Sequence, residues 1–210
     1  MARQRPASDE PGTRRLNVLT SNHRNQGFSL LELLIALIVF SIGLLAIAGL
    51  QTVSKQANFE AVQRTTAAQV ANGLLEDMRT NGNGIDIYAA AAQLGGGVIG
   101  AEPVPNCRDG NECNAVQKAA HDLWFWEQVL DGNLETNGGI GAGGIVLPTL
   151  CIAGPAGGGA GVYTVTIVWR GTASITSNVA NACGTATGNY GAQNEFRRVL
   201  QIPTFIDPNF

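Results

Sequence analysis

The sequence predicts an α+β fold in which one long N-terminal helix packs on a small antiparallel sheet. Residues 28–50 form an apolar run with a single charge. Residues 51–80 continue it with a helical apolar period. The C-terminal part then alternates apolar and polar residues in successive runs with no helix between them. Strands that follow one another directly favour an antiparallel meander packed on the helix.

The first segment, residues 1–27, is a basic leader. It holds five arginines against two acids, and no Lys or Arg follows until Lys55. The positive-inside rule therefore predicts a cytoplasmic leader and an external C-terminal part. Removing the leader leaves 8 basic and 14 acidic side chains, so the net charge changes from −3 to −6. Such an acidic ectodomain is not expected to bind nucleic acid.

Residues 28–50 are long enough to cross a membrane. At about 1.5 Å rise per residue, a helix of this length covers a hydrocarbon core of roughly 30 Å. Fifteen of the 23 residues are Leu, Ile, Val or Phe, and together they outweigh the cost of about 3 kcal/mol for the Glu32 carboxylate. Lipid supplies no polar partner for a carboxylate, so we expect Glu32 to interact with a group that does not belong to the lipid.

Residues 51–80 are predicted to continue the same helix as an amphipathic segment. Asn81-Gly82 supplies residues that commonly end a helix. A helix over residues 28–80 would have 53 residues and a length of about 80 Å. Polar residues, including Gln63, are assigned to the outer faces, and the apolar stripe is expected to pack on the chain's own globular domain, residues 81–210. The predicted stripe consists of Val53, Ala57, Ala61, Ala68, Ala71, Leu75 and Met78.

The globular domain is predicted to contain two short helices followed by three strands. Glycine-rich loops separate the elements. Pro148 interrupts the first apolar run of the strand region, which suits an edge strand. We expect helices at residues 88–94 and 117–130, and strands at residues 144–152, 162–170 and 196–202.

Four cysteines, Cys107, Cys113, Cys151 and Cys183, lie outside the membrane on this topology, which points to an oxidising compartment. Three pairings are possible, and we expect Cys107–Cys113 and Cys151–Cys183. A zinc site would need close Cys pairs or several His ligands. Here five residues separate the first pair, 31 separate the second, and His121 is the only histidine after the leader. Disulfides are therefore predicted.

The sequence contains little evidence for a catalytic site. His121 could act as a base, but its neighbour Asp122 would point elsewhere on a helix, and no G-x-S-x-G nucleophile motif is present. A surface histidine without a catalytic role is the simpler interpretation. No enzyme activity and no cofactor are expected.

Asp131, Asn133 and Glu135 stand at alternating positions, as in a calcium-binding loop. Such a loop requires glycine at position six and an acid at position twelve, and Thr136 and Ala142 occupy those places. A structural turn is predicted instead of a calcium site, and no other metal site is expected.

The segment from Gly27 through Phe28 to Glu32 reads G-F-S-L-L-E and stands where the basic leader meets the apolar run. It resembles the class III signal of type IV prepilins and type II secretion pseudopilins. A secretory signal peptide differs, because its apolar region is about 7–15 residues long and precedes the cut. The resemblance implies that a membrane peptidase cuts between Gly27 and Phe28 and methylates Phe28, and that Glu32 serves assembly. The leader is longer than those common in pilins.

The ectodomain resembles the type IV pilus modification proteins, minor pilins of the PilV kind. The matching segments are residues 122–124, 151–152, 163–171, 183–184 and 197–202. This resemblance implies a pilin fold and a non-enzymatic role in pilus assembly or modification. The implied partners are prepilin peptidase, other major and minor pilins, and the inner membrane.

The implied location is the inner membrane, with a single pass, a cytoplasmic N-terminus before cleavage and a periplasmic head that can enter the pilus. Two alternatives stay open. A type II secretion pseudopilin shares the signal and the helix, and neighbouring secretion genes would favour it. A single-span binding protein that never polymerises would keep its leader uncleaved.

Overall fold

A computed structural model describes residues 27–108, 110–138, 140–141, 143–176 and 180–209. The predicted leader lies outside the described residues, apart from Gly27. The chain divides into two compact units at the Ala48–Gly49 junction, and within the second unit we call the part that follows α1, residues 81–210, the head. The helices are α1 (Leu30–Thr80), α2 (Ile85–Ala89) and α3 (Ala115–Asp131), and the strands are β1 (Thr136–Asn137), β2 (Ile140–Gly141), β3 (Thr149–Ala153), β4 (Gly161–Arg170) and β5 (Arg197–Ile206).

The predicted α+β class is confirmed. The C-terminal half of α1, together with α2 and α3, shares one apolar core with a three-stranded antiparallel sheet of order β3-β4-β5. On the central strand β4, the alternating residues Tyr163, Val165, Ile167 and Trp169 are all buried in that core. The period-two pattern of this strand therefore gave the correct inner face.

The predicted apolar stripe of α1 is wrong in its N-terminal part. The Val53 side chain is 63% exposed, and Ala57 and Ala61 are exposed as well. Gln63, assigned to an outer face, is buried because its amide accepts from the Val146 N–H at 2.8 Å and donates to the Gly144 C=O at 3.5 Å. The head covers α1 at Gln63, Ala67, Val70, Ala71, Leu74, Leu75 and Met78.

The predicted helix at residues 88–94 is also wrong. A 3₁₀ turn at Gly82–Gly84 leads directly into α2, which ends at Ala89. The alanines that follow favour a helix locally, but Leu94 instead forms a β-bridge with Leu150, with two N–H···O bonds of 2.9 Å. Tertiary pairing at the edge of β3 outweighs a helix propensity of a few tenths of a kcal/mol per residue.

Helix α3 has well-defined ends. Asn114 accepts from the Gln117 N–H at 2.9 Å, and the Gln117 side chain accepts from the Asn114 N–H at 3.0 Å, forming a capping box. Gly132 ends the helix with φ of 71°, a left-handed conformation that glycine adopts without strain. The predicted helix at residues 117–130 is confirmed and is slightly longer at both ends.

The outer strands differ in extent from the prediction. Strand β3 begins only at Thr149, because Pro148 cannot join the ladder as a donor. Strand β5 continues through Pro203 to Ile206, which an edge strand tolerates. A small β1–β2 hairpin was not predicted.

Arg198, which interrupts the apolar pattern of β5, has a partner on α1. Its Nη2 lies 3.3 Å from Glu60 Oε1, and both side chains are largely shielded from solvent. The Glu60 carboxylate also accepts from the Thr172 N–H at 2.7 Å. An ion pair that spans 138 residues of sequence thus joins α1 to the end of the sheet.

Both expected disulfides are present. Cys107–Cys113 closes a local loop ahead of α3, and Cys151–Cys183 joins β3 to the segment that follows β4. The second bridge has a sequence separation of 32 residues. In the loop-entropy description such a bridge stabilises the folded state by about 3–4 kcal/mol.

All three tyrosines of the chain are buried, so we expect their hydroxyl groups to resist ionisation at alkaline pH. Burial raises the pKa of Tyr88, Tyr163 and Tyr190 above the ordinary value. Ionisation therefore favours the unfolded chain, so this stability is complete below about pH 10 and is lost as pH rises further. We expect the ultraviolet absorbance of the native head to show little tyrosinate where a urea-unfolded sample is half ionised. Tyrosine ionisation with a midpoint near pH 10, in protein whose circular dichroism is still that of the native state, would contradict this expectation.

Candidate processing and assembly site

The Gly27–Phe28 junction lies outside regular structure. Helix α1 begins at Leu30, and Ser29 caps it: the Ser29 C=O accepts from the Leu33 N–H and its Oγ accepts from the Leu31 N–H, both at 3.2 Å. The Phe28 side chain is 84% exposed. Among the described residues, the peptide bond between Gly27 and Phe28 therefore lies ahead of the first helical hydrogen bond of α1 and next to an exposed side chain.

Gly27 has no steric role within the described chain. A Cβ atom built on it would meet no other atom within 4 Å. Nothing in this part of the structure requires glycine, so a requirement for glycine would come from an external partner.

Glu32 lies in the first turn of α1. A carboxylate there interacts favourably with the positive end of the helix dipole. Its side chain is exposed, and no described residue forms an ion pair or a hydrogen bond with it. Phe28 precedes Glu32 by four residues and lies just before the start of the helix. A cut after Gly27 would create a positive amine at Phe28, near in sequence to a carboxylate that no described residue pairs with.

The surface around these residues is apolar. Every Phe, Leu, Ile and Val between residues 28 and 50 is between 52% and 84% exposed. Helix α1 contains the one stretch in the described chain that is long and apolar enough to cross a membrane, with a mean hydropathy of 2.9. Over residues 28–50, α1 is therefore an apolar surface that no described residue covers.

His121 is not the surface residue that the sequence predicted. It is 1% exposed and packs against Trp124, with 5.6 Å between ring centroids. Its Nε2 lies 3.3 Å from Glu102 Oε1. Its Nδ1 has no hydrogen-bond partner among the described residues. Asp122, the next residue on α3, accepts a hydrogen bond from the Tyr88 hydroxyl at 2.5 Å. Its carboxylate therefore contacts α2 and does not pair with His121.

Two carboxylates on α3 accept hydrogen bonds from the backbone of the loop at residues 95–99. These contacts were not predicted from the sequence. Glu127 is fully buried, and its oxygens accept from the N–H groups of Gly95 at 2.9 Å, Val98 at 2.8 Å and Ile99 at 2.8 Å. Asp131, considered above for calcium, accepts from two further N–H groups of this loop. The acids are thus structural acceptors, and only the run of three glycines at residues 95–97 hinted at a close backbone approach. Within the described ranges, no cluster of three or more His, Cys, Asp or Glu side chains is arranged to hold a metal ion.

Comparison with known families agrees with this geometry. A family model described as the prokaryotic N-terminal methylation motif matches residues 22–48, which include Gly27, Phe28 and Glu32. A model described as type IV pilin Tt1218 matches residues 49–124, which include the rest of α1 and most of α3 up to Trp124. No curated protein and no solved structure matches the chain. With its methylation motif, its long apolar helix and its α+β head, the chain is similar to the type IV pilins, whose family models match it over residues 22–124.

Proposed function

We propose that this chain is a minor pilin that takes part in the assembly or modification of type IV pili. The precursor would be inserted in the inner membrane, cut after Gly27 by prepilin peptidase and methylated at Phe28. It would then join other pilins through α1. The observation that carries this proposal is the G-F-S-L-L-E junction, which lies within the matched methylation motif and precedes an exposed apolar helix.

The proposed topology has four parts. Residues 1–27 form a cytoplasmic leader that is removed, and residues 28–50 span the membrane or enter a filament core. Residues 51–80 continue α1 outside the membrane, and residues 81–210 form the periplasmic head. Two disulfides in the head support an oxidising compartment on that side.

The specialised role of a pilus modification protein rests on the resemblance of the head segments. Two of the resembling segments are joined by the Cys151–Cys183 disulfide, and a third forms the central strand β4. The same resemblance is the basis for proposing a non-enzymatic role. If deletion of the gene impaired type II secretion and left pili unchanged, the chain would instead be a pseudopilin.

Processing gives the direct test of the proposal. Protein recovered from a host that contains prepilin peptidase should begin at Phe28 and carry an N-methyl group, as measured by intact mass and N-terminal peptide analysis. A peptidase-deficient host provides the control and should yield the full leader. A membrane-embedded protein that keeps residues 1–27 in the presence of the peptidase would contradict the proposal and favour a non-polymerising binding protein.

Glu32 is expected to serve assembly rather than insertion. In a filament of parallel helices, a neighbour displaced by about 6 Å along the axis would bring its Phe28 amine to the carboxylate of Glu32. That pairing would offset the cost of an acid in an apolar core and fix the register between subunits. We therefore expect Glu32→Ala to insert as well as the parent, because a costly charge is removed, but to co-assemble poorly with other pilins.

The measurement separates three readouts: leader removal by mass, membrane insertion by carbonate extraction, and co-assembly by recovery with sheared pili. Ser41→Ala, a change in the same helix, is the matched control. A Glu32→Ala protein that is cut, inserts and co-assembles like the parent would remove the proposed intersubunit role.

A further inference from the structure

The sequence contains four pairs in which glycine follows asparagine. In such a pair the backbone nitrogen of the glycine can attack the side-chain amide of the asparagine, because glycine has no Cβ atom to obstruct the approach. The reaction requires that local structure leave both groups free to meet. The pairs are Asn72-Gly73, Asn81-Gly82, Asn83-Gly84 and Asn137-Gly138.

Three of these pairs are held by hydrogen bonds. Asn72 lies within α1, and its amide donates to a carbonyl one turn earlier at 2.8 Å. Asn81 is 7% exposed, and its amide donates to the first carbonyl of α3 at 2.8 Å. The nitrogen that would attack Asn83 belongs to Gly84 and donates to the Asn81 C=O at 2.9 Å. Reaction at these three positions therefore requires local unfolding first.

The fourth pair lies at the turn of the β1–β2 hairpin, which is a sheet separate from β3-β4-β5. Asn137 pairs with Ile140, so a two-residue turn begins at Gly138, whose φ of 64° is the left-handed conformation of such a turn. The ladder of this hairpin uses the N–H groups of Asn137 and Ile140 and not that of Gly138. Because β1 and β2 have only two residues each, the hairpin opens at low cost.

Both reacting groups of this pair are accessible. Asn137 and Gly138 are exposed, and a Cβ atom built on Gly138 would meet no described atom within 4 Å. The Asn137 amide forms no hydrogen bond with another residue in the described ranges. Within those ranges, no side-chain hydrogen bond has to break before the glycine nitrogen reaches the amide carbon.

We propose that Asn137 is a site of spontaneous deamidation, at which the Gly138 nitrogen attacks the Asn137 Cγ atom and the head gains a carboxylate. The new N–Cγ bond closes a succinimide ring, the Cγ–Nδ2 bond breaks, and ammonia leaves with the proton of the glycine nitrogen. Water then opens the ring. Opening at Cγ gives aspartate, whereas opening at the backbone carbonyl gives isoaspartate, whose main chain runs through Cγ.

The reaction changes the surface of the head in two ways. Both products carry a negative charge at neutral pH, and the exposed Glu135 lies two residues before it. The full chain, with a formal net charge of −3, becomes more acidic by one unit. Isoaspartate also lengthens the main chain, which disturbs the register between β1 and β2. Since the reaction needs only water, the modified fraction increases with the age of the protein.

The test incubates the full-length protein, oxidised and solubilised in detergent, at neutral pH in water enriched in heavy oxygen. Peptide mapping by mass spectrometry measures the product at each of the four pairs, and the heavy oxygen marks product formed during the incubation. We expect Asn137 to react at least about tenfold faster than each of the other three asparagines, the factor that corresponds to about 1.4 kcal/mol of local opening.

Protein that is reduced and unfolded in guanidinium chloride is the control for the fold. All four pairs are then unstructured, so their rates should become comparable. Asn137→Gln is the matched variant, because the longer side chain must close a larger ring. It should give no product at this position and should leave the other three pairs and the native circular dichroism unchanged. Isoaspartate methyltransferase should label the aged parent and not this variant.

Equal rates at the four pairs in the native protein, or a faster reaction at Asn72, Asn81 or Asn83, would overturn the proposal. A tenfold preference for Asn137 that persisted in the unfolded chain would overturn the role of the hairpin. The readout is confined to residues 72–138, so its result neither supports nor contradicts the proposed cut after Gly27.

Discussion

Gly27→Leu should abolish removal of the leader, leaving a full-length precursor in the membrane. The structure gives the reason to assign this loss to the enzyme rather than to the chain. A Cβ atom at Gly27 would meet no described atom within 4 Å, so no described residue requires glycine at this position. A peptidase site adapted to glycine, in contrast, leaves no room for four additional carbon atoms. We expect cleavage to fall by more than a hundredfold, about 3 kcal/mol in transition-state free energy.

Gly43→Leu is the matched control, because Gly43 also has open space around it and lies in the same apolar helix. It should be cut at the parent rate and should insert in the membrane. The measurement is the ratio of precursor to product over time, by intact mass, in a peptidase-containing membrane. Cleavage of Gly27→Leu at the parent rate would show that the peptidase does not act at this junction.

Glu127→Leu should cause the largest loss of stability among single substitutions in α3. The carboxylate is fully buried and is the common acceptor for the N–H groups of Gly95, Val98 and Ile99. Leucine fills similar space but accepts no hydrogen bond, so three N–H groups lose a charged partner. Because water reaches part of this loop, we expect a cost of about 2–4 kcal/mol rather than the full desolvation penalty of each group.

Chemical denaturation of the oxidised ectodomain, followed by tryptophan fluorescence, measures the change in the free energy of unfolding. Glu127→Gln, which keeps one acceptor oxygen, should fall between the parent and the leucine variant. Glu76→Ala is the control, because its side chain is 65% exposed and pairs only with Arg79 at the surface, so it should change stability by less than about 1 kcal/mol. If Glu127→Leu and Glu76→Ala unfolded at the same denaturant concentration, the carboxylate would not hold the loop.

The signal at Gly27, Phe28 and Glu32 could be recognised in the sequence because it depends on a short word at a boundary between basic and apolar composition. The same holds for helix α1 and strand β4. The helical period and the alternation of Tyr163, Val165, Ile167 and Trp169, which extends over most of the strand, are local patterns, and they remain visible without knowledge of their neighbours. The two disulfides could be anticipated from topology and number, although two other pairings were equally allowed by counting.

Burial of polar residues was decided only by tertiary structure. Gln63 and His121 both lie at positions where the sequence favours solvent, and both are buried because their partners arrive from segments distant in the chain. Glu127 belongs to the same class, since its three N–H donors lie about thirty residues earlier. Leu94 is not helical, contrary to the prediction, for the same reason: it pairs with Leu150, which is distant in sequence.

The sequence by itself therefore determined the methylation motif, an apolar helix long enough to cross a membrane and the α+β class, because each of these depends on a composition or a period carried by consecutive residues. The tertiary structure alone decided where the head begins to cover α1, which carboxylates hold the loop before α3, and which apolar surfaces stay free. Those features depend on free energies of contact between residues that are distant in sequence, and a hydrogen bond or an apolar contact of that kind leaves no local period from which it could be predicted.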